Sequence, residues 1–231
     1  MKSLVIVGSG PIEHDLSKII DSFEYVVRFN DCKNYNVNSG KKTDILILNN
    51  SQVTNNATNF FLNFRDEIPY LTLAKQVWFA KPKPFFLNKY FTKLLNIHKR
   101  KSVLYKIFNK KEYKRKKRIL KSEIEATLQK INIGDEIISA QNIPKDKVKQ
   151  ITDKLYLSLC NKLNLFKDNT FASMPSTGIV GVEMILNDQF FNDYEKYIIG
   201  FSWEGWNGHP WKEEKALVQY YIDNGSLKLL T

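Results

Sequence analysis

The chain has 231 residues, 43% apolar and 26% charged, with two cysteines, three histidines and a formal net charge of +11. That composition fits a folded globular protein of one domain spanning 1–231; two cysteines exclude a disulfide framework, and so few histidines leave almost no room for a Cys/His zinc site. Apolar runs fall far short of the roughly eighteen residues a membrane-spanning helix needs, and Met1–Val7 leads into glycines without a cleavage site. We therefore expect no anchor, no signal peptide and a reducing, cytoplasmic setting.

Leu4-Val5-Ile6-Val7 predicts a buried parallel strand. Gly8-Ser9-Gly10-Pro11 then reads as a turn into a helix with proline at its first position and Leu16, Ile19, Ile20 and Phe23 on one apolar face. Further strands are expected at 25–29, 44–48 and 76–80, which is the grammar of an open, mostly parallel α/β sheet flanked by helices.

The charge is concentrated next. Between Lys81 and Lys121, sixteen lysines and arginines stand against the single acid Glu112, leaving the rest of the chain slightly acidic. Large apolar residues recur among the cations at helical spacing, Phe85, Phe86, Tyr90, Phe91, Leu94 and Leu95 first, so residues 81–131 read as a basic helical insert. Ser122 and Glu125 form a capping-box pattern opening its last helix. Residues 85–118 suit an anionic membrane surface, or an apolar face packed on the core with solvated charges; no motif for specific nucleic-acid recognition accompanies them.

After the insert, Pro175-Ser176-Thr177-Gly178 opens a helix apolar on all sides through Leu186, the mark of a buried helix. A strand at 197–199 ends on Gly200, a Trp- and Gly-rich loop runs through His209, and a last helix with Leu217, Tyr220 and Tyr221 on one side stops at Asn224-Gly225.

Ligands of open α/β sheets bind beyond the carboxyl ends of the strands. The residues there are small and polar: Gly8, Ser9 and Gly10; Asn30 and Asp31; Asn49 and Asn50; Ser176, Thr177 and Gly178; then Gly200, Phe201 and the loop to His209. Two of these groups open predicted helices, where free N–H groups favour a phosphate. Glu13 stands where a dinucleotide fingerprint needs its third glycine, no Walker Gly-Lys-Ser/Thr loop occurs, and no Asp-x-Asp pair offers itself to a divalent cation. A nucleotide site without metal or bound cofactor is expected.

Three blocks carry a family resemblance. Gly8-Ser9-Gly10-Pro11 with Val26-Val27-Arg28-Phe29-Asn30-Asp31 and Gly40-Lys41-Lys42-Thr43-Asp44-Ile45 resembles the large sialylmotif of family 29 glycosyltransferases. Pro175-Ser176-Thr177-Gly178-Ile179 with Tyr197-Ile198-Ile199-Gly200-Phe201 resembles the small one, and His209 followed by Glu213 or Glu214 the very small one. The resemblance implies a Rossmann-like fold of variant glycosyltransferase A type. It also implies a metal-independent, inverting transfer of sialic acid, or a related keto-sugar acid such as Kdo, from a CMP-activated donor to a hydroxyl of a glycan acceptor. On this reading His209 is the catalytic base. Gly8, Ser9, Gly10, Asn30, Asn49, Ser176, Thr177, Gly178, Gly200 and Phe201 bind the nucleotide, and Trp203 and Trp206 are candidates to stack on sugar or base. Ser9 stands where the family carries asparagine, and 202–206 where animal members carry a further histidine motif. A bacterial enzyme at the inner face of the inner membrane, acting on a lipid-linked lipooligosaccharide or capsule glycan, fits the pattern. Two other classes stay open: a nicotinamide oxidoreductase with Arg28 near a 2′-phosphate, and a non-catalytic module binding membrane or nucleic acid.

Overall fold

The computed structural model describes residues 2–50, 74–82, 134–167, 170–171 and 173–231. The basic insert, with the helix expected from Ser122, lies outside the described residues apart from Lys81, Pro82 and their immediate approach to it.

Nine strands are present among the described residues: β1 (Ser3–Val7), β2 (Tyr25–Phe29), β3 (Ile45–Leu48), β4 (Gln76–Phe79), β5 (Val148–Gln150), β6 (Phe166–Lys167), β7 (Thr170–Phe171), β8 (Glu195–Ile199) and β9 (Lys228–Leu229). Five α-helices accompany them: α1 (Ser17–Ser22), α2 (Gly134–Ala140), α3 (Asp153–Lys162), α4 (Thr177–Leu186) and α5 (Trp211–Asp223). Seven strands form one sheet in the order β5-β4-β3-β2-β1-β8-β9, every neighbouring pair parallel. β6 and β7 make a separate antiparallel ribbon.

The central strands are apolar throughout because both faces are covered. Leu4, Ile6, Val27, Phe29, Ile45 and Ile47 belong to the core that also takes in residues of α3, α4 and α5. Val5, Val7 and Val26 pack with Ile20 and Phe23, and Leu46 and Leu48 with Ile137 of α2. Each such side chain contributes about 1.5–3 kcal/mol by leaving water.

Helix α4 runs through this core, buried from Ile179 to Ile185. Gly181 lets it approach the sheet, since a Cβ there would stand 2.7 Å from Ile47 Cδ1. Glu183 is the one charged residue in the buried stretch, and its carboxylate binds Lys162 Nζ of α3 at 3.0 and 2.9 Å and the Tyr221 hydroxyl of α5. Three helices are thereby tied at one carboxylate.

Two expected helices differ in detail. α1 begins at Ser17 and not at Pro11, because the backbone of Gly8 and Gly10 is bonded to Ile199, the last residue of β8, and to Gly200 after it, and the chain continues as a loop; Ile19, expected on the apolar face, is 48% exposed. In α5 the inward face is Glu214, Val218 and Tyr221, while Tyr220 points outward at 61% exposure. Positions i, i+4 and i+7 share one face of a helix, so an inward Glu214 sets the rest.

Strands are added outward from β1 to β5 on one side, after which the chain returns to the other side of β1 as β8. The order reverses at β1/β8, and a crevice opens beyond the carboxyl ends of such a pair.

Candidate active site

A cavity of about 780 Å³ occupies that crevice. Every residue singled out above for nucleotide, sugar or catalysis lines it: Gly8, Ser9, Gly10, Asn30, Asn49, Ser176, Thr177, Gly178, Gly200, Phe201, Trp203, Trp206 and His209. Asp31 and Trp211 do too, together with Lys33 and Glu204, which the sequence had not marked. Asn50 does not; it is buried, and its amide binds the backbone of Lys81, accepting from the N–H at 2.8 Å and donating to the carbonyl at 3.1 Å.

The glycines of the first turn serve the seam between β1 and β8 and are not free anion donors. Gly8 N–H donates to Ile199 O at 2.8 Å and Gly10 N–H to Gly200 O at 2.6 Å. A Cβ on Gly8 would overlap the Gly200 carbonyl, and one on Gly10 would stand 2.7 Å from Ser202 N. Asn34 then bridges the turn, its Nδ2 donating to Gly8 O at 3.0 Å and Gly10 O at 2.6 Å. The expectation of a helix N-terminus here is corrected accordingly, since those N–H groups are spent on the neighbouring strand end. Asn30, at φ 47°, accepts from Asn49 N at 2.8 Å and so fixes the ends of β2 and β3 against each other.

The other predicted helix opening stands. Ser176 caps α4, its Oγ accepting from Ile179 N at 3.2 Å. Thr177 and Gly178, the first two helical residues, line the cavity, and first-turn N–H groups have no acceptor within their own helix. Phe201 packs against this turn, where a Cβ on Gly178 would lie 3.0 Å from its ring.

His209 faces the same space, half-buried between Trp206 and Trp211, whose rings stand edge-on at 4.8 and 4.9 Å. Its Nδ1 lies 2.7 Å from Met174 O. A carbonyl only accepts, so Nδ1 carries the proton and Nε2 the lone pair. Burial pulls the imidazole below its ordinary 6.5; the Met174 bond opposes this and the Lys81 cation adds to it. At neutral pH the ring is an uncharged base.

Two buried ionisable side chains meet the residues that lead into α4. Glu214, 0% exposed, accepts from Ser176 N at 2.8 Å and Ser176 Oγ at 2.6 Å. Burial pushes its carboxyl up to about 7, with those two bonds and Lys81 drawing it back and Glu213 adding to the rise. Lys81, 7% exposed, donates from Nζ to Pro175 O at 3.0 Å, and burial pushes its ammonium down to about 8. Sequence reasoning left Glu214 paired with Glu213 as alternatives and missed Lys81, which stands first in a run of cations. The signal that separates it is its place directly after the buried Trp78-Phe79-Ala80.

Arg28 is 1% exposed and bonded to Ser39 Oγ and the carbonyls of Ser39 and Lys42, so it is not offered to a 2′-phosphate. Cys32 and Cys160 are both buried and free. Among the described residues no cluster of His, Cys, Asp or Glu could hold a metal ion, and no helix is long and apolar enough to cross a membrane.

Compared by sequence, the chain matches no family model, and no curated protein matches it either. Solved structures do resemble it. A mammalian sialyltransferase aligns with a TM-score of 0.52 at 14% identity over 99% of this chain and 68% of its own. A mammalian sialyltransferase in complex with Gal-beta-1-3GalNAc-ortho-nitrophenol aligns at 0.48 and 13% over 99% and 69%. The Campylobacter jejuni sialyltransferase CstII in complex with a substrate analogue, cytidine-5'-monophosphate, aligns at 0.46 and 15% over 99% and 78%.

Proposed function

Starting from a fold shared with a mammalian sialyltransferase, we propose that this protein is a glycosyltransferase that moves sialic acid, or a related keto-sugar acid, from a CMP-activated donor to a hydroxyl of a glycan acceptor. The observation that carries the reading is His209. A neutral imidazole, its proton held on Nδ1 by Met174 O, lines the same cavity as the opening turn of α4. The sequence motifs at both places support the same chemistry.

In this mechanism Nε2 of His209 takes the proton of the acceptor hydroxyl as its oxygen attacks the anomeric carbon. The bond from that carbon to the phosphate oxygen breaks, and CMP leaves with the electron pair. A single displacement inverts the anomeric centre. The departing phosphate gains charge, and donors held at the first turn of α4 stabilise it more as the bond breaks than before. The reading assigns that stabilisation to Thr177 and Gly178 and to no metal. Trp206, 52% exposed at the cavity wall, and Trp203, 5.3 Å from Phe201, offer ring faces to a sugar or to cytosine. The acceptor class we favour is a lipid-linked surface glycan, with the insert holding the enzyme to an anionic membrane.

The test is calorimetric titration with CMP, UDP and NADPH in the presence of EDTA, followed by an acceptor screen. CMP is expected to bind alone among the three. His209→Ala is expected to keep CMP binding within a few-fold and to lower transfer by about 10²–10⁴-fold, the range that general-base catalysis contributes. NADPH binding, or transfer that survives His209→Ala, would refute the reading.

A further inference from the structure

The Pro175–Ser176 peptide unit, which leads into α4, is held at both ends by buried ionisable side chains. Its carbonyl accepts from Lys81 Nζ at 3.0 Å, and its N–H donates to Glu214 Oε1 at 2.8 Å. A peptide dipole set with its carbonyl toward a cation and its N–H toward an anion has one favoured orientation, and in a medium of low dielectric that preference is strong. Ser176 Oγ, held by the same carboxylate, caps the helix.

The cation is itself held firmly. Lys81 follows β4, and its backbone is fixed by Asn50 at the end of β3 and by Gln150 Nε2 at the end of β5. The ammonium stands 5.6 Å from the Tyr156 ring centroid, with Tyr156 and Cys160 of α3, Glu214 of α5 and His209 as the titratable groups around it among the described residues. Lys81 does not line the cavity. Burying a cation is unfavourable before its partners are counted.

We propose that Lys81 is a positioning residue of the donor-phosphate subsite, clamping the Pro175–Ser176 peptide together with Glu214. This rests on the transferase reading for its effect on catalysis, while the clamp and the electrostatic link to His209 are properties of the protein alone. Being outside the cavity, Lys81 acts through the peptide it orients and through its field, not by touching the donor.

The experiment compares Lys81→Met with Lys81→Arg. By NMR, the imidazole of His209 in the Met variant should titrate above wild type, because a cation that lowers it has been removed, and the amide N–H of Ser176 should exchange faster. In transfer assays kcat should fall about tenfold or more with KM for the donor changed much less. The wild-type rate should also decline above about 8, where the ammonium loses its proton. Lys81→Arg keeps charge and donors at all accessible pH, so it should hold the wild-type His209 midpoint and resist that alkaline decline. If the Met variant fails to fold, the Arg variant still decides. An Arg variant whose His209 midpoint and alkaline decline both depart from this expectation overturns the proposal, as does a folded Met variant with His209 titration and Ser176 exchange unchanged. If wild type binds no CMP, the transferase reading fails, and the two NMR readouts still decide the role of Lys81.

Discussion

At the scale of the residue, the proposed mechanism leaves it to His209 at which pH the site can work. Its imidazole sits below 6.5 because burial disfavours the imidazolium and Lys81 adds to that. On the proposed mechanism the base is ready at neutral pH, and kcat/KM should fall on acidification with a midpoint under 6.5, as a pH–rate profile would record. The sign for stability agrees: the folded state binds this proton more weakly than the unfolded chain, so the contribution is present above 6.5 and is lost as pH falls through the folded value. Glu214 has the opposite sign. Its raised value, about 7, favours the folded state below its ordinary 4.5 and is lost as pH rises through 7. The positions of His209, Asn30 and Thr177 were legible because each follows a strand or opens a helix in an open sheet. Asn34 was not, since it is one of several asparagines in a loop and only the approach of Gly8 and Gly10 gives it a task.

At the scale of the element, α4 joins core and site in ten residues. Its apolar run announced a buried helix, and Ser176 announced where it starts; Glu183 gave no sign of the partners it would find, because Lys162 and Tyr221 lie far away in sequence. Breaking that contact from its two sides should differ. Lys162→Met leaves a fully buried carboxylate without its cation and should cost about 3 kcal/mol, whereas Glu183→Gln keeps the shape and should cost about 1 kcal/mol. Urea unfolding midpoints measure both, and equal losses would show that the ion pair contributes nothing of its own. The first helix was misjudged for a related reason. Gly-x-Gly-Pro is a sound opening for a helix, but the competing claim on Gly8 and Gly10 N–H groups comes from Ile199 and Gly200, remote in the chain. β5, three residues with a polar middle and edge, carries no pattern to read.

At the scale of the whole molecule, the described fold and the chain's charge are two separate matters. The excess of cations lies almost wholly between Lys81 and Lys121, in a segment that leaves the sheet at the carboxyl end of β4, the end at which the cavity opens. Cations near an anionic bilayer contribute about 1 kcal/mol each and are screened by salt. Vesicles containing phosphatidylserine should therefore sediment the protein at low ionic strength, neutral vesicles should not, and deletion of 85–118 should abolish the effect. Retention of the deleted protein, or equal binding to neutral lipid, would remove the membrane from the account.

The seam between β1 and β8 has a consequence in time. Ser3 pairs with Glu195 and Val7 with Ile199, so β1 finds its second neighbour only when β8, far later in the sequence, has emerged from the ribosome. Until then β1 presents one unpaired edge, and edges of that kind recruit other chains. Pairings so distant in sequence are slow to form. The cavity, which lies where those two strand ends meet, is thus among the last features of the molecule to appear, and a chain that has not finished folding has no such pocket to offer a ligand.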